Sequence, residues 1–302
     1  MATAQHDTGT AGWPSKCSID PAPCRALGSV AGVHPIERLR AVARSGGLGL
    51  DELVQDAAMA LAGFADDPPA LVTACRSLVE RHPAAGPLWS LAARVLVAPD
   101  PAEEAWRVVE EVETDDTARA LYRAVPDGAR VLVVGWSEGL AAALGRRGDC
   151  RLLVADPAGG YAGRLRAHVQ AEVDEVPDAG IGAAAAHADL VLFEAQAMGG
   201  DGIVAVGGAL AASAVAAATG RPAWVVAPAG RVLPAPLWEV LAARLSASPE
   251  PWLEPDEIVP VALVAGVVRT AGLLSPGDAM ARPDCPFAPE LVRRLDAPGS
   301  HR

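Results

Sequence analysis

The feature that most constrains the fold is a change of pattern at 126–128, Pro-Asp-Gly. After this point, four short runs rich in β-branched residues are apolar on both faces: 129–135, 150–156, 188–195 and 222–229. Such runs are typical of parallel strands buried between two layers of helices. Helical stretches separate them, namely GLAAALGRRG, YAGRLRAHVQA and ALAASAVAAATG. Strands that alternate with helices of this length predict right-handed crossovers and a Rossmann-like, doubly wound parallel sheet.

Before this point the pattern is helical. In LDELVQDAAMALAGFA the apolar residues recur at helical spacing, and PALVTACRSLVERH and LWSLAARVLV repeat the pattern between prolines. Residues 1–33 are small and Pro-rich without apolar periodicity, which is expected of a disordered tail. The sequence therefore predicts an α/β protein with a tail at 1–33, a helical domain at 34–125 and a Rossmann-like domain at 126–302.

Charge and cysteine spacing exclude several classes of function. A formal net charge of −12 disfavours nucleic acid as a partner, because its phosphates are bound by cationic side chains. The five cysteines form no CxxC pair and have no histidine at zinc-site spacing, which predicts reduced thiols and no metal. Asp156 ends a predicted strand, but the glycine fingerprint of dinucleotide sites is missing, so no cofactor is expected.

The sequence also predicts a cytoplasmic protein without a membrane segment. The first residues lack a basic stretch followed by an apolar core, so no secretory signal is expected. The run from Ile203 to Gly220 consists mostly of Ala and Gly, and Asp201 and Arg221 bound it closely. These small residues favour a buried helix entered through a glycine loop over a membrane span.

The stretch ADLVLFEAQAMGGDGIVAVGGALAASAVAAATGRPAWVVAPAGRV, from Ala188 to Val232, resembles the family of translation initiation factor 2B alpha, beta and delta subunits and methylthioribose-1-phosphate isomerase. Three further segments, at 81–96, 155–167 and 256–272, are similar to family motifs in the same order. The resemblance implies a helical N-terminal domain, a Rossmann-like C-terminal domain, and a homodimer formed through the latter. It also implies a small phosphorylated ligand and, by family name alone, a role in translation initiation.

The catalytic positions that the resemblance implies are substituted. Isomerases of this family use a Cys in an "HCN.G" loop and the Asp of "GAD", where this chain has Trp136 and Gln196. A carboxamide cannot act as a general acid or base. The Arg of the "RP" loop falls near Ala158, and the "NK" pair is absent. The sequence therefore favours a non-catalytic binding or regulatory module with a vestigial sugar-phosphate cleft.

Two alternatives remain open. In the first, the chain is an active aldose-ketose isomerase with relocated groups, using Glu138 or Glu194 as the base and Arg231 as the anchor. Glu194 lies two positions before Gln196 on one predicted strand, so both side chains are expected to face the same side. In the second, the chain is a structural subunit of a heteromer with a complete paralogue.

The carboxyl ends of the predicted strands supply the candidate ligand contacts, since ligands bind there in such sheets. Ser137 is interpreted either as a helix cap or as a ligand contact, and Arg231 either as a phosphate anchor or as a solvated side chain. The glycine-rich 199–202 is expected between a strand and a helix, as an anion site or a plain βα loop. The full set of expected ligand contacts is Ser137, Gly139, Gly163, Arg164, Gly200, Asp201, Gly202 and Arg231.

Overall fold

The computed structural model describes residues 49–156 and 169–292. All of them fall within one compact unit, Pro35–Arg302. The predicted tail at 1–33 and two expected ligand contacts, Gly163 and Arg164, lie outside the described residues.

Five helices form the first part of the described chain. Asp67 begins the second helix by accepting a hydrogen bond from Ala70 N at 3.1 Å, and Asp100 begins the fourth by accepting one from Glu103 N at 2.9 Å. The second, third and fourth helices have proline in the first turn. Proline suits this position because backbone N–H groups of the first turn have no acceptor within the helix, so its missing N–H costs no hydrogen bond. The helices are α1 (Leu50–Ala62), α2 (Pro68–Arg81), α3 (Gly86–Val97), α4 (Pro101–Glu113) and α5 (Thr117–Ala124). Between residues 49 and 125 there is no strand, as the sequence pattern predicts.

Strands and helices then alternate. The described strands are β1 (Arg130–Val134), β2 (Arg151–Ala155), β3 (Glu172–Val176), β4 (Leu190–Glu194), β5 (Ala197–Gly199), β6 (Gly202–Val206), β7 (Ala223–Val226), β8 (Asp256–Pro260), β9 (Gly266–Arg269) and β10 (Gly272–Leu274). The described helices are α6 (Glu138–Leu144), α7 (Ile181–His187), α8 (Ala209–Ala218), α9 (Ala235–Leu245) and α10 (Pro276–Met280). Single 3-10 turns lie at Asp178–Gly180, Pro251–Leu253, Val261–Leu263 and Pro289–Leu291.

Seven strands form one sheet in the order β10-β9-β7-β4-β1-β2-β3. All neighbours run parallel except β10, which is antiparallel to β9. From β1 the chain proceeds to β2 and β3 on one side, and then returns to build β4, β7 and β9 on the other. This is the predicted doubly wound α/β sheet, and its winding direction reverses between β1 and β4.

Alternating side chains bury both faces of the sheet. Leu132 and Val134 of β1 pack with α7 and α8, whereas Val131 and Val133 pack with α5 and α6. Because each strand is covered on both faces, its residues form a continuous apolar run rather than an alternation of polar and apolar positions.

A second, three-stranded antiparallel sheet was not expected from the sequence. Its order is β5-β6-β8. The residues Gly200, Asp201 and Gly202 therefore belong to a β-hairpin, and the expectation that they lie between a strand and a helix is wrong. The predicted helix after Ile203 is likewise corrected, since its first part is strand β6 and α8 begins only after Gly208, at φ +94°.

The first helices pack onto this second sheet. Buried residues of α1 to α4 form one apolar cluster with Ala197, Val204 and Trp238. At the contact, Gly86 N donates to the carbonyl oxygen of Gln196 at 2.9 Å, and a Cβ at Gly86 would lie 2.6 Å from that oxygen. The close backbone approach therefore requires glycine at this position, and it fixes the backbone of Gln196 against α3. None of the helices in the described ranges is long and apolar enough to cross a membrane.

Candidate functional site

Polar side chains meet where the winding of the sheet reverses, at the carboxyl ends of β1 and β4. Open α/β sheets bind ligands at this point because the loops leaving the two strands diverge and open a crevice. Three polar side chains meet here: Ser137 from the loop after β1, Glu194 from the last position of β4, and Arg231 from the segment after β7. We call these three residues the switch-point triad.

Glu194 connects the other two members of the triad. Its Oε1 accepts a hydrogen bond from Arg231 Nη2 at 2.7 Å, and its Oε2 accepts one from Ser137 Oγ. The Ser137 hydroxyl also accepts from Leu140 N at 3.2 Å and so caps α6. The structure therefore shows Ser137 as a helix cap, and the cap positions the hydroxyl that contacts Glu194.

Tight backbone turns bring the three segments together. Gly135 ends β1 at φ +71°, and a Cβ there would lie 2.6 Å from Val206 Cγ1. Gly230 has φ +83°, and the next carbonyl, that of Arg231, accepts from Met198 N at 2.8 Å. Both turns adopt the left-handed region that a side chain disfavours, so glycine allows the chain to reach the site.

Arg231 is buried without being fully hydrogen-bonded. Only 2% of its side chain is exposed, and its Nη2 is held by Glu194. Its Nε and Nη1 are buried and have no hydrogen-bond partner among the described residues. A buried guanidinium normally satisfies all its N–H groups, since each unpaired donor costs about 1 to 3 kcal/mol. The two unpaired donors lie at the switch point of the sheet, where a ligand that accepts hydrogen bonds would satisfy them.

Two further carboxylates act on the triad. Burial raises the pKa of Glu194, while the Arg231 charge and the Ser137 hydroxyl lower it less strongly, and Asp51 and Asp115 add to the rise. The pKa of Asp51 is raised too, first by desolvation and further by Asp115, against an opposing effect of Arg231. Asp51 is nevertheless an exposed residue, so the surrounding protein removes only part of its hydration.

Asp115 is held in a fixed orientation. Its Oδ1 accepts from Thr117 N at 2.8 Å, and its Oδ2 accepts from Ala229 N at 3.0 Å and from Thr270 Oγ1 at 3.2 Å. The residue therefore ties the first helices to the loop that carries Arg231. Neither Asp51 nor Asp115 was identified from the sequence, because each reads there as an ordinary acid at a helix start or turn.

The two positions implied by the family motifs are occupied by side chains engaged elsewhere. Trp136 is half-buried and packs against the apolar cluster under β1 and α6. Gln196 donates from Nε2 to Asp256 Oδ1, on strand β8. Glu194 and Gln196 were expected on one strand, but β4 ends at Glu194, and the two side chains have separate hydrogen-bond partners.

The other expected site residues fall into three groups. A Cβ at Gly139 would lie 4.0 Å from Glu194 Oε2, so Gly139 borders the triad, whereas the Glu138 side chain is exposed. Gly200 and Asp201 line a separate open cavity of about 510 Å³ beside the hairpin, together with Trp238 and Glu239. The third group, Gly163 and Arg164, is outside the described ranges. In those ranges, no group of three or more His, Cys, Asp or Glu side chains is arranged to hold a metal ion.

A helical layer on a doubly wound sheet defines this chain as an α/β protein, and its polar side chains meet at the switch point of the sheet. No protein-family model matches the sequence, and no curated protein matches it at a significant level. Solved structures do match, and they match over most of the chain.

Three of these structures illustrate the likeness. The translation initiation factor eIF-2B of Pyrococcus horikoshii OT3 matches with a TM-score of 0.66 at 15% identity, over 82% of this chain and 99% of that one. The tetrameric eIF2B-beta2-delta2 complex from C. thermophilum matches with a TM-score of 0.65 at 17% identity, over 82% and 92%. The 5-methylthioribose 1-phosphate isomerase of P. horikoshii OT3 matches with a TM-score of 0.54 at 14% identity, over 80% and 84%. These likenesses confirm, at the level of the fold, the resemblance that the sequence motifs indicate.

Proposed function

We propose that this chain is a non-catalytic binding module with the initiation factor 2B fold, and that it binds a small polar molecule at the switch-point triad. The observation that carries the proposal is Arg231, a buried guanidinium with two unpartnered nitrogens at the reversal of the sheet. A ligand that accepts hydrogen bonds from Nε and Nη1 would satisfy both donors and stabilise the folded protein.

The absence of turnover in this proposal rests on Trp136 and Gln196. The carboxamide of Gln196 cannot exchange a proton near neutral pH, and its hydrogen bond to Asp256 fixes it away from the triad. The Trp136 ring belongs to the apolar packing under β1 and offers no nucleophile or acid. The scaffold of the isomerase-like fold is therefore retained with different side chains at both positions.

The proposal is tested by ligand screening with Arg231→Met as the matched variant. A ligand at 100 times its Kd adds about 2.7 kcal/mol to the free energy of unfolding, which a thermal-shift assay detects. We expect at least one sugar, polyol or sugar phosphate to raise the Tm of the wild type and to leave Arg231→Met unshifted. Equal shifts in both proteins would place the binding elsewhere and would refute the proposal.

A second candidate function is supported by Glu194. Its carboxyl is buried, its pKa is raised, and it contacts a hydroxyl and a guanidinium, an arrangement suited to proton transfer. In this candidate the chain is an aldose-ketose sugar-phosphate isomerase that uses Glu194 as the base. NMR of ribose 1-phosphate and methylthioribose 1-phosphate incubated with pure protein would detect conversion, and Glu194→Gln should abolish it. The absence of conversion in the wild type is the result that the binding proposal expects.

We also propose self-association through the C-terminal half. Trp252 and Leu253 are consecutive and are 75% and 69% exposed, so together they present an exposed apolar surface that a partner chain could cover. The multi-subunit eIF2B-beta2-delta2 assembly is a structural neighbour, which supports looking for an oligomer. Light scattering of the purified chain should give the mass of a homodimer. A monomer that recruits a related chain in co-expression would instead favour the structural subunit of a heteromer.

A further inference from the structure

The charges around the triad restrict what the ligand can be, and this inference rests on the binding function proposed above. Arg231 is the one cation whose charge acts on this group of described residues. Its charge is already compensated by the contact with Glu194 at 2.7 Å. Asp51 and Asp115 add two more acids whose charges act on Glu194. The group therefore has a formal charge of about −2 when all three acids are ionised, and it never becomes positive while Asp115 is ionised.

A phosphomonoester is poorly matched to such a site. A phosphoryl group carries between one and two negative charges at neutral pH. Sites that hold it offer uncompensated cations or several backbone N–H groups at the start of a helix. Here the guanidinium is shared with Glu194, and α6, the helix that begins beside the triad, has its first turn capped by Ser137. A phosphoryl group at this site would be repelled by the surrounding carboxylates, and this group of described residues has no unpaired cation to offset that repulsion.

The hydrogen-bonding groups favour hydroxyls instead. Arg231 offers two nitrogens, Nε and Nη1, whose N–H groups need acceptors, and the carboxylate of the exposed Asp51 needs donors. A carbonyl oxygen only accepts, and an ammonium group only donates and would be repelled by the guanidinium. A hydroxyl both donates and accepts, so two neighbouring hydroxyls can satisfy Arg231 and Asp51 together.

We propose that the switch-point triad, with Asp51 and Asp115, binds a neutral polyhydroxylated molecule, a free sugar or polyol, and discriminates against its phosphorylated form. Arg231 donates to one hydroxyl, and Asp51 accepts from another. The acids that surround Arg231 set the discrimination, because they lower the local potential that a phosphate dianion would encounter.

The test uses matched pairs that differ by one phosphoryl group, such as ribose with ribose 5-phosphate and ribitol with ribitol 5-phosphate. Binding is measured by calorimetry and by thermal shift at constant ionic strength, for wild type, Arg231→Met and Asp51→Asn. We expect the neutral member of at least one pair to bind the wild type, and its phosphorylated partner to bind at least about tenfold more weakly. Arg231→Met should lose the neutral ligand.

Inorganic phosphate is a second probe that does not depend on identifying the ligand. We expect no Arg231-dependent phosphate binding in the wild type, so the wild type and Arg231→Met should give the same result with this probe. Glu194→Gln removes one of the three acids and the ion-pair partner of the guanidinium, so this variant should bind phosphate more tightly than the wild type does. Asp51→Asn should reduce the difference in affinity between the neutral and the phosphorylated member of a pair.

The outcomes separate this inference from the binding proposal. Tighter, Arg231-dependent binding of a phosphorylated member, or of phosphate by the wild type, would overturn the preference for neutral ligands and leave a binding module standing. If no member of any pair binds in an Arg231-dependent way, the binding proposal and this inference fail together.

Discussion

The central sheet buries one arginine at its amino-terminal edge, where the parallel strands begin, and another at its carboxyl-terminal edge, where they end. The two arginines differ in their hydrogen bonding. At the amino-terminal edge, Arg147 is 5% exposed and all three of its nitrogens are hydrogen-bonded. Its partners are the carbonyl oxygens of Tyr122, Val125 and Pro126 and the carboxylates of Asp127 and Asp149. At the carboxyl-terminal edge, Arg231 is 2% exposed and is held by Glu194 through Nη2 alone.

The difference indicates that Arg147 stabilises the fold, whereas Arg231 fits the binding role proposed above. Arg147 connects the end of α5, the turn before β1 and the turn before β2, so its hydrogen bonds close the sheet at that edge. Arg231 keeps unsatisfied donors at the carboxyl ends of the strands, which lowers stability, and in the proposed function a ligand would satisfy them. The arginine buried at the amino-terminal edge is fully hydrogen-bonded, whereas two nitrogens of the arginine at the carboxyl-terminal edge have no partner among the described residues.

The largest effect is expected from removing the Arg147 guanidinium, and the Arg231 variant serves as its comparison. Arg147→Met leaves buried carbonyl oxygens without donors, so we expect it to lower the free energy of unfolding by about 3 kcal/mol or more. Arg231→Met removes one ion pair together with two unsatisfied donors, so we expect a loss of about 1 kcal/mol. Urea denaturation of both variants measures the contrast. Equal losses would show that Arg231 is as fully satisfied in solution as Arg147.

An intermediate effect is expected from two glycines at the same edges. Gly128 and Gly135 have φ of +69° and +71°, so alanine at either adds backbone strain of about 1 to 2 kcal/mol. A Cβ at Gly128 meets nothing within 4 Å, whereas at Gly135 it would lie 2.6 Å from Val206 Cγ1. Gly135→Ala should therefore lose a further 1 to 3 kcal/mol, roughly, from overpacking.

Gly128→Ala serves as the matched control, since it carries the strain without the contact. Thermal denaturation at one scan rate compares the two variants. If they lose the same stability, the backbone around Gly135 relaxes, and the carboxyl-terminal edge is less tightly packed than the contact distance indicates.

The smallest effect is expected in the pH dependence of stability, where the two edges should have opposite signs. Contact with Arg147 lowers the pKa of Asp149 below its ordinary value, so its stabilisation is present above a pH of about 3.9 and is lost as the pH falls. Burial raises the pKa of Glu194, so the folded state holds the proton more tightly, and stability is lost as the pH rises above about 4.3.

Two conservative variants separate these contributions. Asp149→Asn should flatten the loss of stability on the acid side, and Glu194→Gln should flatten the loss on the side of rising pH. Unfolding free energies from urea titrations between pH 3 and pH 8, roughly, would show both slopes. A steeper fall with rising pH in Glu194→Gln than in the wild type would contradict the assigned direction.

Much of the sheet could be predicted from residues alone. The four apolar runs became β1, β2, β4 and β7, because a strand buried on both faces needs apolar residues at every position. Strands of another character were missed. The segment EVDEV of β3 is acidic and half-exposed at the sheet edge, and β5 and β10 have only three residues each, with glycine at an end. Their pairing depends on neighbours that local sequence does not specify.

The candidate site was predictable only in part, for the same reason. Ser137, Glu194 and Arg231 lie at the ends of recognisable strands, so the rule that ligands bind at carboxyl ends places them in one region. Asp51 and Asp115 come from the first helices, and nothing in their local sequence distinguishes them from solvated acids. The hairpin at Gly200 was misplaced because glycines between two apolar runs suit a βα loop and a hairpin equally.

The sequence by itself determined the helical first part, the four central strands of the sheet and the presence of a carboxamide at Gln196, since these follow from local pattern and residue type. Only the tertiary structure decided which arginine is satisfied and which is not. Arg147 and Arg231 are the same residue type near strand ends, and their difference arises from the carbonyl oxygens and carboxylates that distant segments bring within hydrogen-bonding distance. Hydrogen bonding is short-ranged and directional, so it is settled by packing geometry and not by composition or spacing along the chain.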